Sequence, residues 1–178
     1  MTPTKQLGFK ILEGNNVRIF GGAHLTSHPK EKRPISIKKP VHLVMRSHHA
    51  KGPRSFFRHD QKILALISKQ GRRFGVKLYR YANGGNHLHM VILPESRRAF
   101  NAFIRSVTGL IARLVLGAQR GAPKELQFWE RRPFTRIVEW GRDYRKVCAY
   151  LLQNTLEALG FSESRPRTGR HAPKISTA

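Results

Sequence analysis

The sequence predicts an α+β fold, a ferredoxin-like antiparallel sheet with helices packed on it. Three observations carry that expectation. Apolar residues alternate between period two and helical spacing in the order strand, helix, strand, strand, helix, strand, helix. A Gly-Gly pair at 84–85 joins two alternating stretches as a hairpin. The run from Phe100 to Val115 keeps one apolar stripe at i, i+3, i+4, i+7, which gives it a face to bury against a sheet.

Residues 1–39 read as a basic N-terminal arm, partly irregular, because Gly14, Gly21, Gly22, Pro29, Pro34 and many lysines interrupt any apolar period. The domain proper runs over 40–160. It opens on the strand VHLVMR, 41–46, set off by Pro40 and by the polar stretch SHHAKGPRS. From Phe56 to about Arg73, the residues Phe57, Ile63, Leu64 and Ile67 fall at helical spacing, and the helix is expected to stop near Gly71. GVKLYRYA then alternates as a strand, Asn83, Gly84 and Gly85 tolerate the positive φ of a tight turn, and NHLHMVILP returns as a second strand. The helix through Phe100, Phe103, Val107, Ile111 and Val115 ends by Gly117, before the loop GAQRGAPKE. FTRIVEW, 134–140, is strand-like, and 142–159 reads as a last helix that Gly160 stops. Residues 161–178 form a polar basic tail.

The charge points to the partner. Among 178 residues, 34 Lys and Arg face 10 Asp and Glu, a net +24. A polyanion is the default partner of such an excess, since each phosphate neutralised releases a condensed counterion. An anionic membrane surface competes for the same charge. No uninterrupted apolar run approaches the roughly 20 residues of a spanning helix, so no membrane partner is expected. The first ten residues lack the apolar core of a signal peptide. The single cysteine, Cys148, excludes an internal disulfide and fits a reducing compartment. The expectation is a cytoplasmic protein working on nucleic acid.

Two histidines stand out within that basic background. His87 and His89 lie at i and i+2 of a strand and therefore project from one face, while Leu88 and Met90 go to the other. A closed structural zinc site would want four Cys or His ligands, and the one cysteine lies on a distant helix. An open site with two His and one further ligand is instead the arrangement in which a metal acts as Lewis acid on a phosphodiester. On the last helix, Tyr144, Cys148, Leu151, Thr155 and Leu159 gather on one side. Tyr150 and Asn154, at i and i+4, lie together on a flank away from it. Tyr150 is a candidate nucleophile, because a phenol that attacks a phosphodiester keeps the bond energy for rejoining. No G-x-x-x-x-G-K-[ST] loop for a nucleotide is present.

The segment NHLHMVI, followed by a long helix, a strand and a helix carrying YLLQN, resembles the single-tyrosine HUH transposases of the insertion-sequence-200-like kind, and among them the REP-associated tyrosine transposase branch. The likeness spans about residues 40–160. It implies a DNA-nicking and strand-transfer transposase acting on single-stranded or hairpin DNA through a 5′-phosphotyrosine, with Mg2+ or Mn2+ as cofactor. Carried over by position, His87 and His89 are the metal ligands, Tyr150 is the nucleophile, and Asn154 completes the metal site. Many relatives follow the tyrosine motif with Asn-Pro, whereas Thr155 follows Asn154 here. A homodimer is left open.

The basic clusters RSHHAKGPRSFFRH, KQGRRFG and WERRPFTR mix cations with aromatics, as suits backbone tracking with base stacking. Arg46, Arg54, Arg58, Arg72, Arg73, Arg131, Arg132 and Arg136 are the candidate DNA contacts. Trp129 and Trp140 are expected to pack, and His42, His48 and His49 to face phosphate or serve structure rather than bind metal. Two rivals stand beside the transposase reading. One is a domesticated, non-catalytic DNA-binding protein of the same fold. The other is a metal-dependent hydrolytic nuclease, which would want clustered carboxylates, while Glu139 is the one acid on an expected core strand.

Overall fold

The computed structural model describes residues 19–22, 32–118 and 127–161. The strands are β1 (Ile19–Phe20), β2 (Val41–Arg46), β3 (Val76–Asn83), β4 (His87–Pro94) and β5 (Phe134–Ile137). They form one antiparallel sheet in the order β1-β5-β2-β4-β3. Helices α1 (Asp60–Phe74) and α2 (Arg97–Leu116) pack on one face and α3 (Arg142–Ala158) on the other. The α+β architecture expected from the sequence is observed, with one more strand.

Alternation along β2 and β4 decides what each face holds. Val41, Leu43 and Met45 join Leu88, Met90 and Ile92 on the first face, where they meet Ile63 and Ile67 of α1 and Phe100, Phe103, Val107, Ile111 and Val115 of α2. Fully burying such a side chain contributes about 1.5–3 kcal/mol, so this face holds most of the apolar stabilisation. The second face carries a smaller cluster of Ala82, Val91, Val138, Val147 and Leu151.

Several boundaries differ from expectation, each for a local reason. Helix α1 runs through Gly71 and ends at Gly75, whose φ of +64° suits a left-handed cap. Gly71 is needed inside the helix because the Val76 carbonyl oxygen lies 2.7 Å from where a Cβ would stand. Helix α2 starts at Ser96, whose hydroxyl accepts from the Ala99 amide at 3.0 Å, and closes at Gly117. By length and composition α2 is also apolar enough to cross a bilayer, at a mean hydropathy of 1.4. Counting uninterrupted apolar residues misses that, and five of its residues form the stripe packed on the sheet. Strand β5 stops at Ile137, so Glu139 and Trp140 leave the sheet before α3 begins.

Strand β1 lies within the segment expected to be an irregular arm. Ile19 pairs with Arg136 and Phe20 with Thr135. Arg33 secures this edge by donating to the Pro133 carbonyl at 2.7 Å and to Thr135 Oγ1 at 3.0 Å, with its guanidinium 4.6 Å from the Phe20 ring centre. Residues 1–18, 23–31, 119–126 and 162–178, which include most of the expected arm, part of the loop after α2 and nearly all of the tail, lie outside the described residues.

Candidate active site

The β3–β4 turn sets the first wall of the site. Gly84 N donates to the His87 carbonyl at 2.9 Å, and Gly85, at φ +80°, receives Asn83 Oδ1 on its amide at 2.9 Å. Asn83 in turn donates to Asp60 at the start of α1, as does the Tyr81 hydroxyl. The turn is thereby braced against α1. Gly84 has a second reason to be glycine: the His87 imidazole occupies the space a Cβ there would need.

His87 and His89 project from the same face, as their spacing predicts, with ring centres 4.9 Å apart. His87 Nδ1 lies 2.8 Å from Asn86 Oδ1, an oxygen that only accepts, so Nδ1 carries the proton and Nε2 keeps a lone pair. Burial, aided by Arg46 across the strand pair, lowers the His87 pKa to about 4. His89 is fully buried, and burial together with His42 and His87 holds it well below the usual value. Both imidazoles are neutral at pH 7 and can act as ligands.

His42, on β2, is a third member that sequence reasoning did not place here. It is fully buried, stacks on His89 at 5.4 Å between ring centres, and its Nε2 lies 3.1 Å from His89 Nδ1. Burial lowers its pKa to about 3, with Arg136 adding to the fall and Asp143 opposing it. Donation from His89 Nδ1 to His42 Nε2 is the tautomer that leaves His89 Nε2 as a lone pair, and that atom is buried without a partner. A metal ligand is ordinarily oriented in this way through its other ring nitrogen. The signal was available: His42 and Arg46 share one face of VHLVMR, but only the register, which sets Val44 opposite His89, brings that face to the histidine pair.

Tyr150 arrives from α3. Its ring centre lies 5.7 Å from that of His89 and 6.3 Å from that of His42, nearly perpendicular to both. Burial raises its pKa above the ordinary phenol value, a hydrogen bond from Asn154 opposes the rise, and Glu157 adds to it. The hydroxyl is therefore protonated at neutral pH. Asn154 Nδ2 donates to the Tyr150 carbonyl at 2.9 Å, which holds the carboxamide on Tyr150's side of the helix.

The buried face of α3 shares Leu151 and Tyr144 with the one the helical wheel suggested but is turned from it. Val147 and Leu151 meet the sheet, whereas Leu159 is 56% exposed. The helix is turned toward Tyr150 and Asn154, so Tyr150 is half-buried at the sheet rather than off the core. Tyr144 sits at the other margin, against Tyr79 and Trp140.

The eight candidate arginines separate. Arg46 lies beside His87, its Nε 3.2 Å from Glu130 Oε1. Arg54 and Arg58 are exposed on the segment between β2 and α1 that docks on Gly85, and Arg131 and Arg132 follow Glu130, whose amide donates to the Arg46 carbonyl at 3.0 Å. Arg72 and Arg73, also exposed, stand in the last turn of α1, which leads through Gly75 into β3 at the end of the hairpin opposite its turn; the run of β4 from His87 to Pro94, roughly 23 Å at about 3.3 Å per residue, separates that end from His87. Arg136 corrects an expectation. It is 1% exposed and makes a two-pronged pair with Asp143 at 2.8 and 3.1 Å, so its guanidinium joins β5 to α3 and is not presented to DNA. Glu139 is exposed and paired with Lys39 at 2.7 Å, away from the core role its expected strand implied. Trp129 packs on the main core, whereas Trp140, 47% exposed, stands at the edge of the α3-face cluster against Tyr79 and Tyr144.

Among the described residues no three His, Cys, Asp or Glu side chains converge as a ready metal cage. The donors present still fit a divalent ion with open positions: two neutral imidazoles, one with an unpartnered buried Nε2, and a carboxamide on the facing helix.

The sheet, with the histidine pair on its interior strand β4 and the tyrosine-bearing α3 laid over them, has the fold of a solved transposase structure. The chain is similar over 75% of its length, and 76% of the other chain's, to the structure of a REP-associated tyrosine transposase bound to a REP hairpin, at a TM-score of 0.59 and 16% identity. It also matches, at a TM-score of 0.42 and 12% identity, the crystal structure of a putative transposase from Deinococcus radiodurans R1, over 71% of this chain and 97% of that one. No protein-family profile and no curated protein matches the sequence.

Proposed function

We propose that this chain nicks and rejoins single-stranded or hairpin DNA by transesterification, with Tyr150 as nucleophile and a divalent ion, Mg2+ or Mn2+, held by His87, His89 and Asn154. The observation that carries the reading is the Tyr150 ring 5.7 Å from His89, whose buried Nε2 has no partner. The ion, when bound, supplies Lewis-acid polarisation of the scissile phosphate. Tyr150 Oη forms the bond to phosphorus and the bond to the 3′-oxygen breaks, leaving a 5′-phosphotyrosine and a 3′-hydroxyl. The phenol's proton ends, through solvent, on the departing oxygen. Reversal with a second 3′-hydroxyl rejoins a strand without any external energy source. Arg46 adds positive charge beside the histidines, and His42 fixes the His89 ring.

The same fold at 16% identity supports this reading, and so does the DNA hairpin to which that transposase is bound. The test is incubation of the protein with Mn2+ and 3′-end-labelled hairpin DNA carrying single-stranded flanks, followed by denaturing electrophoresis. A labelled band above the protein's mass, at that of the protein plus its attached DNA segment, is expected. Cleaved DNA with no adduct would replace the transferase by a hydrolytic nuclease, and binding without cleavage would leave a DNA-binding protein.

A further inference from the structure

Phe57 lies in the segment Lys51–Asp60 that joins β2 to α1, where the other exposed side chains include Lys51, Arg54 and Arg58. It is 40% exposed, although its neighbour Phe56 is fully buried against Phe128 and Trp129. The segment is fastened to the β3–β4 turn: Phe56 N donates to the Gly85 carbonyl at 2.8 Å, and Ser55 Oγ donates to the same oxygen at 3.3 Å and accepts from Phe57 N at 3.4 Å. The Phe57 ring rests on Gly85, with its Cε2 2.7 Å from the place a Cβ would take. The His87 imidazole rests in the same way on Gly84. Two rings are thus seated on consecutive glycines of one turn, one a candidate metal ligand and the other an uncommitted aromatic.

We propose that Phe57 is a stacking platform for one unpaired nucleobase of the DNA, next to the phosphate held at His87. The inference rests on the function proposed above. A lone exposed aromatic is ordinary on protein surfaces. This one is held by three hydrogen bonds and a glycine contact, is flanked by cations that suit phosphates, and rests on a glycine two residues from the histidine pair. A rigid ring beside a basic track is the arrangement by which single-strand binders take successive bases, and every base has a face to offer it.

The test combines protein variants with abasic DNA, using the full chain and the hairpin of the adduct assay with one base removed at each position on either side of the nick in turn. The wild type should lose affinity at one abasic position by about 5- to 150-fold, the range of a single base–aromatic stack. Phe57→Ala should lose the same on intact DNA and nothing further at that position, while Phe57→Trp should bind as the wild type does. Because the phosphates are unchanged, the slope of affinity against salt should be the same for all three proteins. Equal affinity of wild type and Phe57→Ala for intact DNA, or losses that simply add at every abasic position, would overturn the platform while nicking by the wild type left the enzyme reading standing. A wild type that neither bound nor nicked the DNA would remove both.

Discussion

On the α1–α2 face, strands β2 and β4 present Val41, Leu43, Met45, Leu88, Met90 and Ile92, all buried and apolar. On the α3 face the same two strands present His42, Val44, Arg46, His87, His89 and Val91. Among the described residues, the buried side-chain nitrogens without a well-formed hydrogen bond are His42 Nδ1, Arg46 Nε, His89 Nε2 and Arg136 Nε, and every one is on the α3 face. An unsatisfied buried polar group costs about 1–3 kcal/mol. The difference teaches a division of labour: one face supplies the apolar stabilisation that offsets the cost of the buried polar groups on the other.

The comparison breaks most sharply at Tyr150. Tyr150→Phe removes one oxygen and keeps the ring that packs on His42 and His89, so it should fold and bind DNA yet form no covalent adduct. Tyr144→Phe, at the opposite margin of the same helix, should form adduct at the wild-type level. If Tyr144→Phe lost the adduct and Tyr150→Phe kept it, the assignment of roles on α3 would be reversed.

Next in size is the histidine wall. His87→Ala should abolish cleavage dependent on Mn2+ while thermal melting and salt-sensitive DNA binding stay near wild type. Gly84→Ala reaches the same residue indirectly, because the new methyl would occupy the imidazole's place. Adduct formation by Gly84→Ala should fall toward that of His87→Ala; wild-type activity would show that the ring need not lie where it does.

The opposite face should answer in the other currency. Phe103→Ala, beneath the sheet at 1% exposure, should destabilise the fold by about 3–5 kcal/mol in denaturant titration. Adduct formation per folded molecule should be unchanged at low temperature. A specific loss of chemistry in that variant, with the protein still folded, would mean that the two faces are not separable.

How much of this was legible in the sequence follows the same division. The apolar face was read from periodicity alone, because β2, β4 and α2 carry long, clean patterns. The histidine pair was legible because period two fixes its side. Strand β1 was not, since two residues hold no period and Ile19 pairs with Arg136, more than a hundred positions away. Arg136 looked like the arginines around it, and only the β5–α3 contact with Asp143 distinguishes it. The face of α3 was set to one side of the true one because Leu159, which is exposed, was counted with Tyr144 and Leu151, while Val147, which is buried, was left out. Tyr150 was singled out as a candidate nucleophile by its place beside Asn154 on one flank of the helix, and the resemblance of YLLQN added to that reading.

His42 offers the smallest and most discriminating effect, because stability and function should separate at one residue. His42→Leu removes the unpartnered Nδ1 of His42 but leaves His89 Nδ1 without its partner, so at pH 7.5 the net change in stability should stay within about 1 kcal/mol. Binding of Mn2+ to the DNA-free protein, followed by electron paramagnetic resonance, should weaken by roughly 10- to 100-fold, the usual cost of losing a residue that orients a metal ligand. His42→Asn, which keeps a polar side chain facing His89, should recover part of that loss. Acid adds an independent reading in chelator. The folded pKa of His42, about 3, lies below the roughly 6.5 of an unfolded histidine, so its contribution is full above about pH 6.5 and is lost as pH falls toward 3. His42→Leu should therefore lose less stability than the wild type between pH 6.5 and 4. Wild-type Mn2+ affinity in the leucine variant would reduce His42 to packing, even if the acid profile changed as expected.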